Sequence, residues 1–329
     1  MNAPAPSTDT PRVSILLLCH KDVDYIDQAI AGALAQTVAC EIIVSNDCSG
    51  DGTYERARAL LEGYRGPHRV TLRCNARNLG VAAHVNAVVP LSSGEIVVMM
   101  AGDDVSRPDR VSRLLAAYQA HPEVMAIASD FEAVDAAGQP TALPFHNRRE
   151  RFDLPYFVEV GRLIGLLGAT LSFRREVFDR FGPIVGPIED NALSLRAALL
   201  GTCMNLREPL VRYRIHSGSV SAGVFARDED KATAKRKRYR RTVDFYRGTA
   251  DDFEQAVRKL PALSAPDRAV ARNILGMYRI EADAREALLD KPRRQWIGPI
   301  VRGVMQRGLR RKSLERAFKL LLPRRLVGL

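Results

Sequence analysis

Residues 13–46 read VSILLLCHKDVDYIDQAIAGALAQTVACEIIVSN. Val13–Leu18 is a short, continuous apolar run of the kind a strand buried on both faces requires. Ile26, Ala29, Ile30, Ala33 and Leu34 then recur at i, i+3, i+4, i+7 and i+8, which lines one face of a helix, and Asp24 is its expected N-cap. Glu41–Ser45 is again a strand. The order strand, helix, strand is a βαβ unit and implies parallel pairing.

The alternation continues outward. Helices are expected at Asp51–Tyr64, Gly80–Val89 and Pro108–Ala120, and strands at Arg69–Arg73, Glu95–Met100 and Val124–Ala128. The fold class is therefore α/β, a mostly parallel central sheet flanked by helices on both faces. Ligands of such sheets bind beyond the carboxyl ends of the strands, which singles out Cys19–Asp24, Asn46–Asp51, Asn75–Gly80 and Ala101–Arg107. Residues 131–187 are less regular, with a helix expected at Val158–Leu167 and a strand at Ala169–Phe173. A helix starts at Glu189/Asp190 and stops at Gly201. Leu210–His216 alternates, with Arg212, Arg214 and His216 on one side. From Ala226 the pattern is helical.

With 329 residues the chain can bury a large core. Five cysteines form an odd set with no C-x-x-C pair, which argues for reduced thiols in the cytoplasm and against a zinc site or disulfide frame. The opening MNAPAPSTDTP lacks the regions of a signal peptide and reads as a short disordered lead, and no run of about 18 apolar residues exists to span a bilayer. Residues 291–329 hold twelve Lys/Arg and one Glu, which accounts for the whole net charge of +11 and leaves residues 1–290 neutral. A basic partner surface, if there is one, belongs to the tail.

At the end of the fourth strand, EIVVMMAGDDVSRPDR (95–110) sets Asp103 beside Asp104. Two adjacent carboxylates repel unless a cation lies with them. The turn after the first strand, CHKDVDYID, contains neither G-x-G-x-x-G nor G-K-[ST], so a diphosphate is not held by a glycine loop here. Mg²⁺ or Mn²⁺ on Asp103/Asp104 is the natural substitute; the other reading makes them turn residues before a helix. Asp47, in EIIVSNDCSGDGT, can accept a nucleobase N–H, while Asp51 caps a helix. Glu189 and Asp190 either complement a helix dipole or supply a general base. His216, in RYRIHSGSVS, gains meaning only if it faces the carboxylates.

Taken in order, CHKDVDYI, EIIVSNDCSGDGT, NLGVAAHVNAVVPLSSGEIVVMMAGDD, EDNALSLRAALLG and PLVRYRIHSGSVS resemble the inverting family 2 glycosyltransferases of GT-A fold, of the bacterial cell-surface polysaccharide type, over about residues 12–221. The resemblance implies transfer of a hexosyl or deoxyhexosyl group from a nucleoside-diphosphate sugar to a hydroxyl of a saccharide or lipid-linked saccharide. It makes Asp47 the base-contacting acid and Asp103 with Asp104 the region that binds Mn²⁺ or Mg²⁺. Asp190 becomes the general base, with Glu189 on the acceptor side, and His216 a ligand of the metal or diphosphate. Cys19 and Asn78 join Asp47 and Asp103 on the donor side. Three positions depart from the family pattern: Asn46 and Ala101 replace acids, and CHK replaces P-x-Y-N.

The expected division is a lead (1–11), a GT-A domain (12–225, with a nucleotide-sugar half to 130 and an acceptor half from 131) and a basic helical extension (226–329). In that extension Ile297, Ile300, Val301, Val304 and Met305, then Leu314, Phe318 and Leu321, recur at helical spacing among Arg and Lys, with Trp296 at the edge. Such a helix either lies on an anionic membrane or packs on the domain with a solvated basic face. Nucleic acid is not expected, because no aromatic platform is interleaved with the charge. Together these features predict a peripheral enzyme on the inner face of the cell membrane. The rivals are a non-catalytic saccharide or lipid-surface binding protein of the same fold, and a sugar-phosphate nucleotidyltransferase.

Overall fold

The computed structural model describes residues 12–142, 149–218 and 231–321. The expected lead, the 225/226 boundary and the loop beyond Gly218 lie outside these residues, as do the side chains of Lys319 and Leu321. The described chain begins β1 (Val13–Cys19), α1 (Ile26–Leu34), β2 (Glu41–Asn46), α2 (Thr53–Leu61), β3 (Arg69–Cys74) and α3 (Val81–Val88). It continues β4 (Ile96–Ala101), a two-residue β5 (Val105–Ser106), α4 (Arg110–Ala120), β6 (Val124–Val134), β7 (Arg151–Phe152) and α5 (Leu154–Val160). Then come β8 (Leu171–Arg174), α6 (Glu176–Asp179), α7 (Glu189–Leu200), β9 (Thr202–Arg214), α8 (Lys231–Arg258), α9 (Ala265–Asp290), α10 (Ile297–Met305) and α11 (Arg310–Leu321).

One sheet runs β3-β2-β1-β4-β8-β6-β9-β5, with β7 added on β9. β1 pairs in parallel with both β2 and β4, and β8 is antiparallel to its neighbours β4 and β6. Pairing of β1 aligns Cys19 with Asn46 and Leu18 with Ala101, so the three strand ends that carry the motifs finish together. The strands read as continuous apolar runs because both faces are covered. Ile15, Leu17, Ile42, Val44 and Val98 pack toward α1 and α4, while Leu16, Ile43, Val97 and Met99 point into the other layer. Each such side chain contributes roughly 1.5–3 kcal/mol on burial. That second layer contains Val85 of α3, Leu193 of α7, Phe253 of α8 and Tyr278 of α9, so the helices after residue 231 share a core with the sheet.

Several local expectations shift. Asp24 does not cap α1; the N-cap is Tyr25, without a side-chain bond, and the carbonyl of Asp22 takes the N–H groups of Tyr25 and Ile26. The helix expected at Val158–Leu167 is α5, which starts after Asp153 with Pro155 in its first turn and stops at Gly161 in the left-handed region (φ 64°). In the tail, Trp296 is buried against Ala287, Leu288 and Ile300 and donates its indole N–H to the Lys291 carbonyl, so it is not the edge residue of an exposed face. Ile300 is likewise buried, whereas Ile297, Val301 and Met305 stay exposed on the opposite side of α10. The apolar stripe is wider than the surface it packs on.

Candidate active site

β1, β2 and β4 end at a common cleft floor. Where β1 stops, Cys19 turns inward and its thiol donates to the Ser45 carbonyl at 3.4 Å; burial and the nearby Asp22 raise its pKa well above the ordinary thiol range. The next residue faces the cleft. His20 Nδ1 lies 3.2 Å from the Asp47 carbonyl and Nε2 lies 2.9 Å from Asn78 Nδ2, so the ring is held between β2 and the turn before α3. Asn78 in turn accepts the Gly80 N–H at the start of α3.

Asp47 is nearly buried. Oδ1 accepts from Asn75 Nδ2 (2.7 Å) and Leu79 N (2.9 Å), and Oδ2 from Gly80 N (2.9 Å). Burial alone would raise its pKa, but these bonds hold it below the usual carboxylate range. A carboxylate offers about four acceptor positions, and bonds from the described residues fill three of them.

At the β4 end the two acids part ways. Asp103 faces the cleft and meets His216 Nε2 at 3.0 Å, with the His216 ring tilted at 53° against Tyr25, centroids 4.8 Å apart. Asp104 turns inward, 1% exposed. Its Oδ1 accepts the Arg214 N–H (2.8 Å), and its Oδ2 has no hydrogen-bond partner among the described residues. Burial and the Asp103 charge push Asp104 well above the usual range, against the pull of Arg110 and Arg214. Both arginines are buried. Arg214 donates to the Asp103 carbonyl (2.9 Å) and lies over the Tyr25 ring, while Arg110 donates to the Met99 carbonyl (2.9 Å) and reaches that of Ala169 (3.4 Å). Although Arg212 and Arg214 alternate onto one side of β9, Arg212 is exposed against Glu132. The cations that the adjacent acids demand are therefore partly built in.

A third carboxyl completes this corner. Asp22 accepts the His20 N–H at 2.8 Å and is pushed up to about 7 by burial and by Asp103. Gly102 makes the packing possible, since a Cβ there would stand 2.4 Å from an Asp22 carboxylate oxygen. Asp51 holds the start of α2 through Thr53 N (3.1 Å) and Oγ1.

Glu189 and Asp190 open α7. Asp190 Oδ1 accepts the Asn191 N–H (2.6 Å), and its carbonyl takes the Ser194 hydroxyl. Burial, then the neighbouring Asp190, push Glu189 up to about 8. The 168–170 turn joins this pair to the acid corner: Gly168 lies against Glu189, and the Ala169 carbonyl contacts Arg110. A surface cavity of ≈ 630 Å³ lined by Arg58, Tyr64, His68 and Leu72 sits at the outer β3 edge and holds none of these groups.

The profile of the family described as Glycosyl transferase family 2 matches residues 14–182, more than half of the chain. The chain belongs to glycosyl transferase family 2. The succinoglycan biosynthesis proteins ExoO and ExoU of Rhizobium meliloti are 35% and 32% identical to it, over 35% and 51% of this chain. Those matches span 32% and 44% of the two relatives, less than half of either. An uncharacterized glycosyltransferase of Haemophilus influenzae is 24% identical over 69% of this chain and 72% of its own. In fold the chain is similar to S. aureus TarS 1-349 in complex with UDP-GlcNAc (TM-score 0.54, 15% identity, 90% of this chain and 92% of that one). It is also similar to the mannosyltransferase PcManGT of Pyrobaculum calidifontis in complex with GDP-Man and Mn²⁺ (TM-score 0.51, 17% identity, 97% and 87%). The architecture is GT-A.

Within this family 2 chain, the expected residues form three groups: Asp47 with Asn78, Asp103 with His216, and Glu189 with Asp190. Cys19 and Asp104 lie behind the surface that these line. His20, Asp22, Arg110 and Arg214 were not singled out for the site. The CHK departure marked the position of His20 without saying which of its residues faces out.

Proposed function

We propose that the chain is an inverting, metal-dependent glycosyltransferase that moves a sugar from a nucleoside-diphosphate sugar to a hydroxyl of a saccharide or lipid-linked saccharide in cell-surface glycan synthesis. The observation that carries this reading is the pairing of Asp103 with His216 at one end of a chain of contacts that reaches Glu189 and Asp190 at the other. Support also comes from the similar proteins, which are named for succinoglycan biosynthesis or were solved with UDP-GlcNAc or with GDP-Man and Mn²⁺.

The donor set fits a divalent cation. A carboxylate and an imidazole 3.0 Å apart suit Mn²⁺ or Mg²⁺, and next in the chain Asp104 Oδ2 has no hydrogen-bond partner among the described residues. Among the described residues no three His, Cys, Asp or Glu side chains are placed to hold a metal ion together, and Asp103 with His216 as the two protein ligands would leave coordination positions for phosphate oxygens and water. Bound there, the cation supplies positive charge where the departing diphosphate gathers negative charge. His20 and Asn78 border the nucleobase, and Asp47 accepts a ring N–H. Glu189 keeps its proton at neutral pH, which relieves its repulsion with Asp190. Asp190 then takes the proton of the acceptor hydroxyl as its oxygen attacks the anomeric carbon, and the electrons of the broken C–O bond leave on the diphosphate.

Exposed Ile297, Val301, Met305, Leu314 and Phe318 alternate with exposed Arg307, Arg310 and Arg311, a mixture that favours an anionic membrane surface. No helix among the described residues is long and apolar enough to cross a membrane. The reading is therefore peripheral attachment at the inner face.

The test is a thermal-shift screen of nucleotide sugars with and without Mn²⁺. One donor should raise Tm only when Mn²⁺ is present, and Asp103→Asn should abolish that increment. Equal shifts with EDTA in the parent protein would remove the metal from the account.

A further inference from the structure

Behind Asp47, side chains of three elements are joined in one hydrogen-bonded group. Ser45 of β2 and Arg73 of β3 are partners across the parallel ladder, and Arg73 Nη1 donates to Ser45 Oγ at 2.6 Å. The same hydroxyl oxygen lies 2.6 Å from Nε2 of His84 on α3, whose N–H bonds the Gly80 carbonyl. Arg73 Nη2 donates to Asn75 Oδ1 at 2.6 Å, and Asn75 Nδ2 donates onward to Asp47 Oδ1 at 2.7 Å. The main chain of Asn75 is pinned as well, since its N–H continues the ladder to the Asn46 carbonyl (2.9 Å). Ser45, Asn75 and His84 are buried, and Arg73 is half-buried. Burial pushes His84 down to about 4, so at neutral pH the positive charge of this group belongs to Arg73.

The order of donors along this path is forced. A guanidinium only donates and an ionised carboxylate only accepts, so the amide between them turns its oxygen to Arg73 and its nitrogen to Asp47. A guanidinium on the amide oxygen also polarises the amide and strengthens its N–H donation to the acid. With Leu79 N on Oδ1 and Gly80 N on Oδ2, the plane of the Asp47 carboxylate is set from both oxygens. An acceptor held in one plane separates nucleobases by one ring edge. Uracil and guanine present a ring N–H there, whereas cytosine and adenine present a bare ring nitrogen, which leaves a buried carboxylate opposed instead of paired.

We propose that Arg73 and Asn75 are positioning residues that hold the Asp47 carboxylate for a donor nucleobase bearing a ring N–H. This rests on the transfer reading above, in which Asp47 meets the nucleobase, and adds the residues that set the base preference. Both act through Asp47 and not on the reacting bond.

The experiment is isothermal titration of the full chain, with Mn²⁺ present, against UDP and CDP and against GDP and ADP, two pairs that differ at that ring edge. In the parent, one N–H base should bind at least about tenfold tighter than its counterpart, the worth of a hydrogen bond to a charged group. Arg73→Met and Asn75→Asp should each bring that ratio within threefold and leave the Kd of the weaker nucleotide within threefold. Asn75→Asp keeps an acceptor for Arg73, so it reads the loss of the amide donor even where Arg73→Met fails to fold. Arg174→Met is the control for a general loss of stability, because that guanidinium bonds the carbonyls of Val124 and Tyr118, outside this group. A ratio unchanged in the folded variants would overturn the positioning role, as would an equal fall in Arg174→Met. Equal binding within both pairs, in a parent that releases nucleoside diphosphate from a donor, would overturn this inference alone. A chain that binds none of the four and releases nothing would overturn the transfer reading with it.

Discussion

Glu189 shows how one residue's surroundings set its behaviour. Its carboxyl lies at about 8 where an unfolded chain has 4.5, because burial and then Asp190 disfavour the charge. The folded state therefore keeps a proton that the unfolded state releases. The stability linked to that proton is fully present below about pH 4.5 and is lost as pH rises through about 8. Glu189→Gln removes the titration, so urea unfolding should find the variant gaining on the parent between pH 5 and pH 8.5, by roughly 2–4 kcal/mol. A constant difference across that range would mean the carboxyl is solvated. The carboxylates could be singled out only by the order of their motifs, because acids at helix starts also serve as caps and dipole partners. Arg110, Arg196 and Arg214 were not legible as buried groups, since an arginine's burial depends on tertiary partners such as Asp104 and Asp252. His20 was missed for a related reason: which side chain of CHK faces the cleft depends on where β1 leaves the pleat.

Among the elements, α7 and α8 are held by a buried ion pair. Arg196 donates from both Nε and Nη2 to Asp252 (2.9 and 2.6 Å) and also to the carbonyls of Gly182 and Pro183, while Asp252 accepts the Val185 N–H. The pair thereby fixes the loop that leads into Glu189 and Asp190. Asp252→Ala leaves a buried guanidinium without its partner and should cost about 3–5 kcal/mol in chemical denaturation. A loss under 1 kcal/mol would show that the carbonyls suffice. Strands and helices up to β6 were readable because burial on both faces and 3.6-residue periodicity leave separate marks. The reversed strand β8 and the stop of α5 at Gly161 were harder, because short elements in a Pro- and Gly-rich stretch carry little periodicity.

For the whole molecule, the packing reading of the tail holds for one face of α10. One side of α10 packs through Trp296 and Ile300, and the other leaves Val301 52% and Met305 84% exposed. Sedimentation with phosphatidylglycerol vesicles should retain the parent protein and lose Val301→Glu/Met305→Glu, with melting temperature unchanged; retention of the double variant would turn the exposed stripe into mere surface. The GT-A architecture was legible from motif order, whereas the core shared by the sheet and the helices after residue 231 was not, because helical periodicity marks an apolar face without naming its partner. The central claim is that one cleft holds a donor at Asp103 and His216 and activates an acceptor at Asp190. Its most direct test is nucleoside diphosphate release by Asp190→Asn with the donor found in the thermal-shift screen. Transfer should fall by about 10²–10⁴-fold with donor Kd within twofold, and a variant that turns over at the parent rate would contradict the account.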